Sequence, residues 1–232
     1  NSASPGTVNI NNTGLKPNYS HNYDASVEYY FEPVGVISVA GFHKDVKDWI
    51  NTLRDVIPDG PNNGFGGDFA GFDLVTQQNL NEAKIQGFEV NYVQMFDFLP
   101  KPLNGLRMNA NYTRSKATGR FANGEATLGN FTPETYNLGV SYPFGRLLVS
   151  VTRNWRSDYL YRRGDDPAQA EMIGARSSTG VNLQYKLRDW ATLFVDVRDL
   201  EDDESVWYRW YQKNRVSTVE HYGRRITAGV TG

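Results

Sequence analysis

Residues 23 to 31 read YDASVEYYF: Tyr23, Ala25, Val27, Tyr29 and Phe31 are apolar or aromatic, and Asp24, Ser26 and Glu28 fall between them. A period of two places alternate side chains on opposite faces of a β-strand, so one face suits an apolar medium and the other suits water. The same alternation returns along the chain. Phe88, Val90 and Tyr92 alternate with Gly87, Glu89 and Asn91; Leu106, Met108, Ala110 and Tyr112 alternate with Arg107, Asn109, Asn111 and Thr113. Tyr136, Leu138, Val140 and Tyr142 oppose Asn137, Gly139 and Ser141, and Val181, Leu183, Tyr185 and Leu187 oppose Asn182, Gln184 and Lys186. Noisier segments lie near 35–50, 145–158, 190–199 and 221–231, which predicts about nine strands.

The connectors between these segments alternate in length. EPVGV (32–36), LPKPLNG (99–105), YPFG (142–145) and KLRDW (186–190) read as tight turns, and longer connectors occupy about 54–82, 115–133, 160–175 and 200–220. In an up-and-down meander this places every tight turn at one end and every long loop at the other. Short turns on one side and long loops on the other are the pattern of an outer-membrane β-barrel.

A soluble β-sandwich also alternates, but its turns do not sort by length onto opposite ends. The polar positions are rich in Arg, Glu and Asn, which suits a water-filled or plug-filled lumen, whereas a small soluble barrel packs apolar residues inside. The odd positions of 23–31 are therefore expected to meet lipid and the even ones the lumen; Tyr112 and Leu138 are expected on the lipid side.

Composition changes the picture at three points. A net charge of −2 and a pI near 6.0 argue against a nucleic-acid partner, which needs a basic stripe. A mean hydropathy of −0.56 looks soluble, but a membrane barrel gives lipid only every second residue and keeps a low average. The 14 Tyr, 12 Phe and 5 Trp suit the aromatic girdles of such a barrel. With no cysteine, a disulfide scaffold, a thiolate metal site and a cysteine nucleophile are excluded.

Four stretches, LKPNYSHNYDASVEYYF (15–31), GFHKDVKDWI (41–50), AKIQGFEVNY (83–92) and HYGRRITAGV (221–230), resemble recurrent strand phrases of TonB-dependent outer-membrane receptors, in the order that family uses. The resemblance covers nearly the whole chain. It implies an all-β, antiparallel up-and-down transmembrane barrel of 22 strands, plugged by an amino-terminal domain. Such a receptor takes up a scarce nutrient, whether siderophore, cobalamin or carbohydrate, with energy from the TonB-ExbB-ExbD complex. Residues 1–232 then read as the carboxy-terminal portion, with about nine of the strands and without the plug or the coupling segment. The implied surroundings are outer-membrane lipid and lipopolysaccharide. A passive porin and a soluble all-β carbohydrate-binding or adhesion module stand as alternatives.

Candidate chemistry concentrates in the long connectors. GFGGDFAGF (64–72) begins like a phosphate cradle, but Phe69 takes the third glycine's place and no P-loop lysine follows. It reads as an extracellular loop in which Phe65, Phe69 and Phe72 are ligand-contact candidates. SVWYRWYQKNR (205–215) offers Trp207, Tyr208, Arg209 and Trp210 for stacking on a sugar or planar chelate, or as an interfacial girdle. In YRRGDDP (161–167), Arg162 and Arg163 either attract an anion or lipopolysaccharide phosphate, or pair with Asp165 and Asp166. DLEDDES (199–205) reads as a solvated acidic loop or a site for a cation or basic ligand. His21, His43 and His221 lack metal-ligand spacing, no G-x-S-x-G occurs, and no catalytic residue, cofactor or metal is expected.

Overall fold

The structure is a computed structural model and describes residues 6–121, 124–163, 168, 170–209 and 211–232. Nine antiparallel strands form one meandering sheet in the order β15-β12-β11-β8-β7-β5-β4-β3-β2. These are β2 (Tyr19–Phe31), β3 (Gly35–Val56), β4 (Asp73–Met95), β5 (Arg107–Phe121), β7 (Glu134–Phe144), β8 (Leu147–Arg156), β11 (Arg176–Arg188), β12 (Ala191–Arg198) and β15 (Arg225–Thr231). Two short strands, β1 (Thr7–Ile10) and β6 (Gly124–Thr127), attach to β4 and β5. The sheet remains an open arc.

Direct ladder partners keep the two faces apart across the arc. One row runs through Val27, Val39, Val90, Tyr112, Tyr136 and Trp155. Another runs through Met108, Val140, Val151, Val181, Val197 and Ile226. Among the described residues no second layer covers this apolar face: Val27 is 74% exposed, Tyr29 66% and Ile226 64%. The opposite face carries a row of Glu28, Ser38, Asn91, Asn111, Asn137, Asn154 and Ser178. Its amides are chained: Asn91 donates to Ser38 Oγ at 3.3 Å, Asn111 donates to Asn91 Oδ1, and Asn137 donates to Asn111 Oδ1 at 3.5 Å. Tyr112 and Leu138 fall on the apolar face.

Turn chemistry matches the expected short connectors at three of four places. β7 and β8 are joined by Gly145 and Arg146 alone, with Gly145 at φ 60°, a left-handed conformation that glycine adopts without a Cβ penalty. β11 runs on to Arg188, so Asp189 and Trp190 make the whole turn before β12. Glu32 to Val34 join β2 to β3. The connector at LPKPLNG is longer than expected and spans 96–106, because two prolines cannot supply ladder donors.

The long connectors depart more from expectation. β3 and β4 hold a single register from Gly35 opposite Gln94 to Val56 opposite Asp73, so the loop expected at 54–82 shrinks to 57–72. At roughly 3.3 Å per residue these strands are far longer than the 9–11 residues that cross a bilayer. Alternation breaks at Asp48, φ 54°. Beyond it, the ladder partners Trp49 and Leu80 join Val46, Ala83, Ala117 and Leu128 in one cluster, with Phe131 against Trp49.

Two connectors expected to be loops instead pair with each other. β9 (Tyr159–Arg162), β10 (Glu171–Ile173), β13 (Ser205–Arg209) and β14 (Val216–Glu220) form a separate antiparallel sheet in the order β14-β13-β10-β9. Buried Leu160, Ala170, Ile173 and Tyr208 repay the entropy of ordering these segments. The acidic stretch 199–205 is tied down by its neighbours: Asp199, Glu201 and Asp203 bond Arg176, Arg153, Thr179 and Ser177, as detailed below, while Glu201 and Glu204 stay exposed.

Candidate functional site

At the long-connector end of the polar face lies a cavity of about 770 Å³ whose walls include Asn137, Asn154, Arg156, Arg176, Arg198 and Arg225, with Tyr222 beside them. The arginines come from the ends of four strands and meet through register alone. Arg156 is the direct ladder partner of Arg176, and Arg198 of Arg225. Like charges directly opposite one another are unfavourable on a sheet, so their local partners matter.

Arg156 Nη1 donates to the Gly174 carbonyl at 3.0 Å and its guanidinium stacks over the Tyr159 ring at 5.1 Å. Arg176 Nη2 bonds Asp199 Oδ2 at 2.7 Å, and its guanidinium lies 5.4 Å from the Tyr222 ring centre. Arg198 Nε reaches Asp196 at 3.2 Å. Arg225 is exposed and makes no ion pair among the described residues. Arg176 Nε and Asp199 Oδ1 are both buried without a hydrogen-bond partner. Tyr222 donates to Glu220 at 2.7 Å, and that carboxylate raises its phenol pKa.

The 199–205 turn fixes one wall. Asp199 has φ 57°. Glu201 accepts from Arg153 Nη1 at 2.5 Å, from the Thr179 amide at 2.8 Å and from the Thr179 hydroxyl. Asp203 accepts from the Ser177 amide at 2.9 Å, and Asp202 lies 3.0 Å from His221 Nε2. The Thr179 hydroxyl holds the Glu201 carboxyl down to about 2, helped by the amides and Arg153 against an opposing effect of burial.

The residues singled out from sequence divide into two groups. Phe65, Phe69 and Phe72 stack edge to face on their own loop, at 5.8 and 5.5 Å, with Phe69 48% exposed while Ile57 at the start of the loop is buried. Arg162, Trp207, Tyr208 and Arg209 lie on the second sheet, with Arg163 just past the end of β9. Arg162 is the ladder partner of Glu171 and pairs with it at 2.8 Å, and the Arg163 guanidinium stacks on Phe121 at 4.1 Å. Both line a polar cleft of about 250 Å³ with Arg54. Trp207 packs edge-on against Tyr161 at 4.7 Å. Tyr208 is 3% exposed and donates to Asp158 at 2.8 Å; burial pushes its phenol pKa up. Arg209 is exposed on the same strand. Trp210, Asp165 and Asp166 lie outside the described residues.

The arginine cavity was not foreseen. Its signal in the sequence is an arginine on the polar parity at the strand end that borders a long connector, repeated at 156, 176, 198 and 225. His21 lies opposite Asp45 on β3, and His43 bonds the same Asp45 at 3.1 Å.

Among curated proteins none matches this chain. Solved structures do. A point variant of the ferric enterobactin receptor PfeA of Pseudomonas aeruginosa superimposes with a TM-score of 0.61 at 18% identity, over 94% of this chain and 31% of that one. The FrpB iron transporter of Neisseria meningitidis gives 0.63 at 13% identity, over 96% and 32%. The copper transporter OprC gives 0.67 at 15% identity, over 94% and 32%. The chain spans about a third of the length of these proteins, and at these identities the likeness establishes the fold. Residues 1–200 match the family model described as TonB dependent receptor-like, beta-barrel, and the chain belongs to that family.

Proposed function

We propose that this chain is the carboxy-terminal part of the barrel of an outer-membrane TonB-dependent receptor that binds a scarce nutrient and takes it up actively. Siderophores, cobalamin and carbohydrates are the candidate ligands. The observation that carries the reading is the uncovered apolar face backed by a polar face that opens into a cavity at the long-connector end. Under this reading lipid and lipopolysaccharide contact the rows through Val27 and Val140. The polar face lines the lumen, and the long connectors with their second sheet stand outside the cell. Phe65, Phe69, Phe72, Arg162, Arg163, Trp207, Tyr208, Arg209 and Trp210 serve the outer vestibule. TonB-ExbB-ExbD couples through a part of the receptor other than these strands. The protein acts as a transporter and performs no catalysis here.

The test has two stages. Full-length receptor extracted from outer membranes in mild detergent is expected to run as a compact fast band that slows on boiling, the signature of a closed barrel. Uptake by cells carrying it is then expected to stop when TonB is deleted. A protein in the soluble fraction without the mobility shift would overturn the reading in favour of a soluble module. Uptake that persists without TonB would favour a passive porin.

A further inference from the structure

The sequence holds three Asn-Gly dipeptides, at 63–64, 104–105 and 123–124, and position 123 lies outside the described residues. This pair has a chemistry of its own. Glycine carries no Cβ to fend off the preceding side chain, so its main-chain nitrogen can reach the side-chain carbonyl carbon of the asparagine and displace ammonia. In a folded protein the reaction is governed by how firmly that asparagine is held.

The glycines of the two described sites are alike, since Gly64 and Gly105 both have φ 86°. The asparagines differ. Asn63 Oδ1 accepts from the amides of Phe65 at 2.9 Å and Gly67 at 3.0 Å, and its Nδ2 donates to the Asp68 carbonyl at 2.8 Å. These bonds fix the side-chain amide toward 65–68, and turning its carbon onto the Gly64 nitrogen breaks all of them together. Asn104 is exposed, and neither its side chain nor the Gly105 amide makes a hydrogen bond among the described residues. Its turn is closed by one long bond, from the Leu106 amide to the Leu103 carbonyl at 3.3 Å, and an exposed turn held this weakly opens locally at little cost.

We propose that Asn104 is a site of spontaneous covalent modification in the folded protein, and that Asn63, with the same dipeptide, is kept intact by its three side-chain bonds. The Gly105 nitrogen gives up its proton and attacks Asn104 Cγ; the new N–C bond forms, the Cγ–Nδ2 bond breaks, and ammonia leaves with a proton. Water then opens the five-membered imide at either carbonyl, giving aspartate or isoaspartate, each with a new carboxylate. Water is the sole co-reactant and nothing is oxidised or reduced. The isoaspartate form adds a carbon to the main chain inside the turn that Leu106 and Leu103 close, so the turn loosens while the ladder from Met95 opposite Arg107 onward is left in place. The site goes beyond the uptake reading and does not rest on it.

The experiment is peptide mapping by mass spectrometry of full-length receptor kept in mild detergent, in water enriched in heavy oxygen, at neutral and at alkaline pH. A parallel sample is boiled in SDS and kept unfolded under the same conditions. In the folded receptor the peptide containing Asn104 is expected to take up one heavy oxygen atom and to split into aspartate and isoaspartate species, faster at alkaline pH. The peptide containing Asn63 is expected to convert about tenfold or more slowly, because its bonds must open together before the attack. In the boiled sample the two rates are expected to converge. Asn104→Gln, which keeps the amide but needs a larger ring, is expected to leave its peptide unchanged, and heat-modifiable mobility checks that this variant is folded.

The proposal is overturned if Asn104 stays intact in the folded receptor, whether or not the boiled sample converts. It is also overturned if Asn63 and Asn104 convert at equal rates in the folded receptor, or if the Asn104→Gln peptide changes as fast as the wild type.

Discussion

Met172 and Tyr208 are direct partners in an antiparallel ladder, although one belongs to the connector after β8 and the other to the connector after β12. Two segments that read as independent loops are therefore one cooperative unit, and disturbing either should loosen both. We predict that Tyr208→Ala, which empties a 3% exposed site, destabilises this unit by about 3–5 kcal/mol. Tyr208→Phe, which only removes the bond to Asp158, should cost about 1 kcal/mol. Limited proteolysis checks this: new cuts should arise together in 157–175 and 199–224 while the meander stays intact. Cuts confined to one segment would contradict the pairing.

Val140 sits on the apolar face between Met108 and Val151. Val140→Arg is predicted to impair assembly by about 2–4 kcal/mol, the cost of a mid-membrane arginine on the lipid side of a barrel. Asn109→Arg, on the opposite face, should be tolerated. Folding yields into lipid vesicles separate the two, and a water-soluble, folded Val140→Arg protein would refute the membrane assignment.

Gly87 and Gly41 differ sharply in the room around them. A Cβ on Gly87 would run into the Arg114 carbonyl oxygen and come within 2.7 Å of the Phe42 ring, whereas on Gly41 the nearest atom is 4.0 Å away. Gly87→Ala is accordingly predicted to destabilise by about 1–3 kcal/mol, and Gly41→Ala to be close to neutral. Urea unfolding in detergent would expose the difference; equal midpoints would mean the sheet relaxes around position 87.

Glu201 titrates well below its ordinary value of 4.5, at about 2. A carboxyl with a depressed folded pKa stabilises fully above its unfolded value and loses that contribution as pH falls through the folded one. Attachment of the 199–205 turn to β11 should therefore weaken between about pH 4.5 and pH 2. The hydrogen-exchange protection factor of the Thr179 amide, which donates to Glu201 at 2.8 Å, should fall across that window. Glu201→Gln should flatten the dependence, and an unchanged profile in that variant would assign the effect to another carboxyl.

Strands and faces were readable because both depend on a period of two, which local sequence carries. Val27, Tyr112, Leu138 and Val140 fell where parity placed them, and the Gly145 turn followed from backbone sterics. What parity cannot reveal is pairing between distant segments. The Met172–Tyr208 ladder depends on two short strands that are weak alone, and the DLEDDES stretch looked solvated because its partners, Arg153, Arg176 and Thr179, lie on other strands. The arginine cavity was hidden for the same reason: Arg156, Arg176, Arg198 and Arg225 are unremarkable singly and become a site only through register. The extent of β3 and β4 escaped because the alternation breaks at Asp48 and resumes with the faces exchanged.

The chained amides of Asn91, Asn111 and Asn137 have a mechanical implication. Each presents a neutral donor and acceptor, so a body pressed against this wall meets many shallow wells of similar depth, and each bond it loses can be replaced by water or by the next amide along. Such a belt resists shear weakly while keeping contact, which lets something slide or turn beside it without first breaking an ion pair.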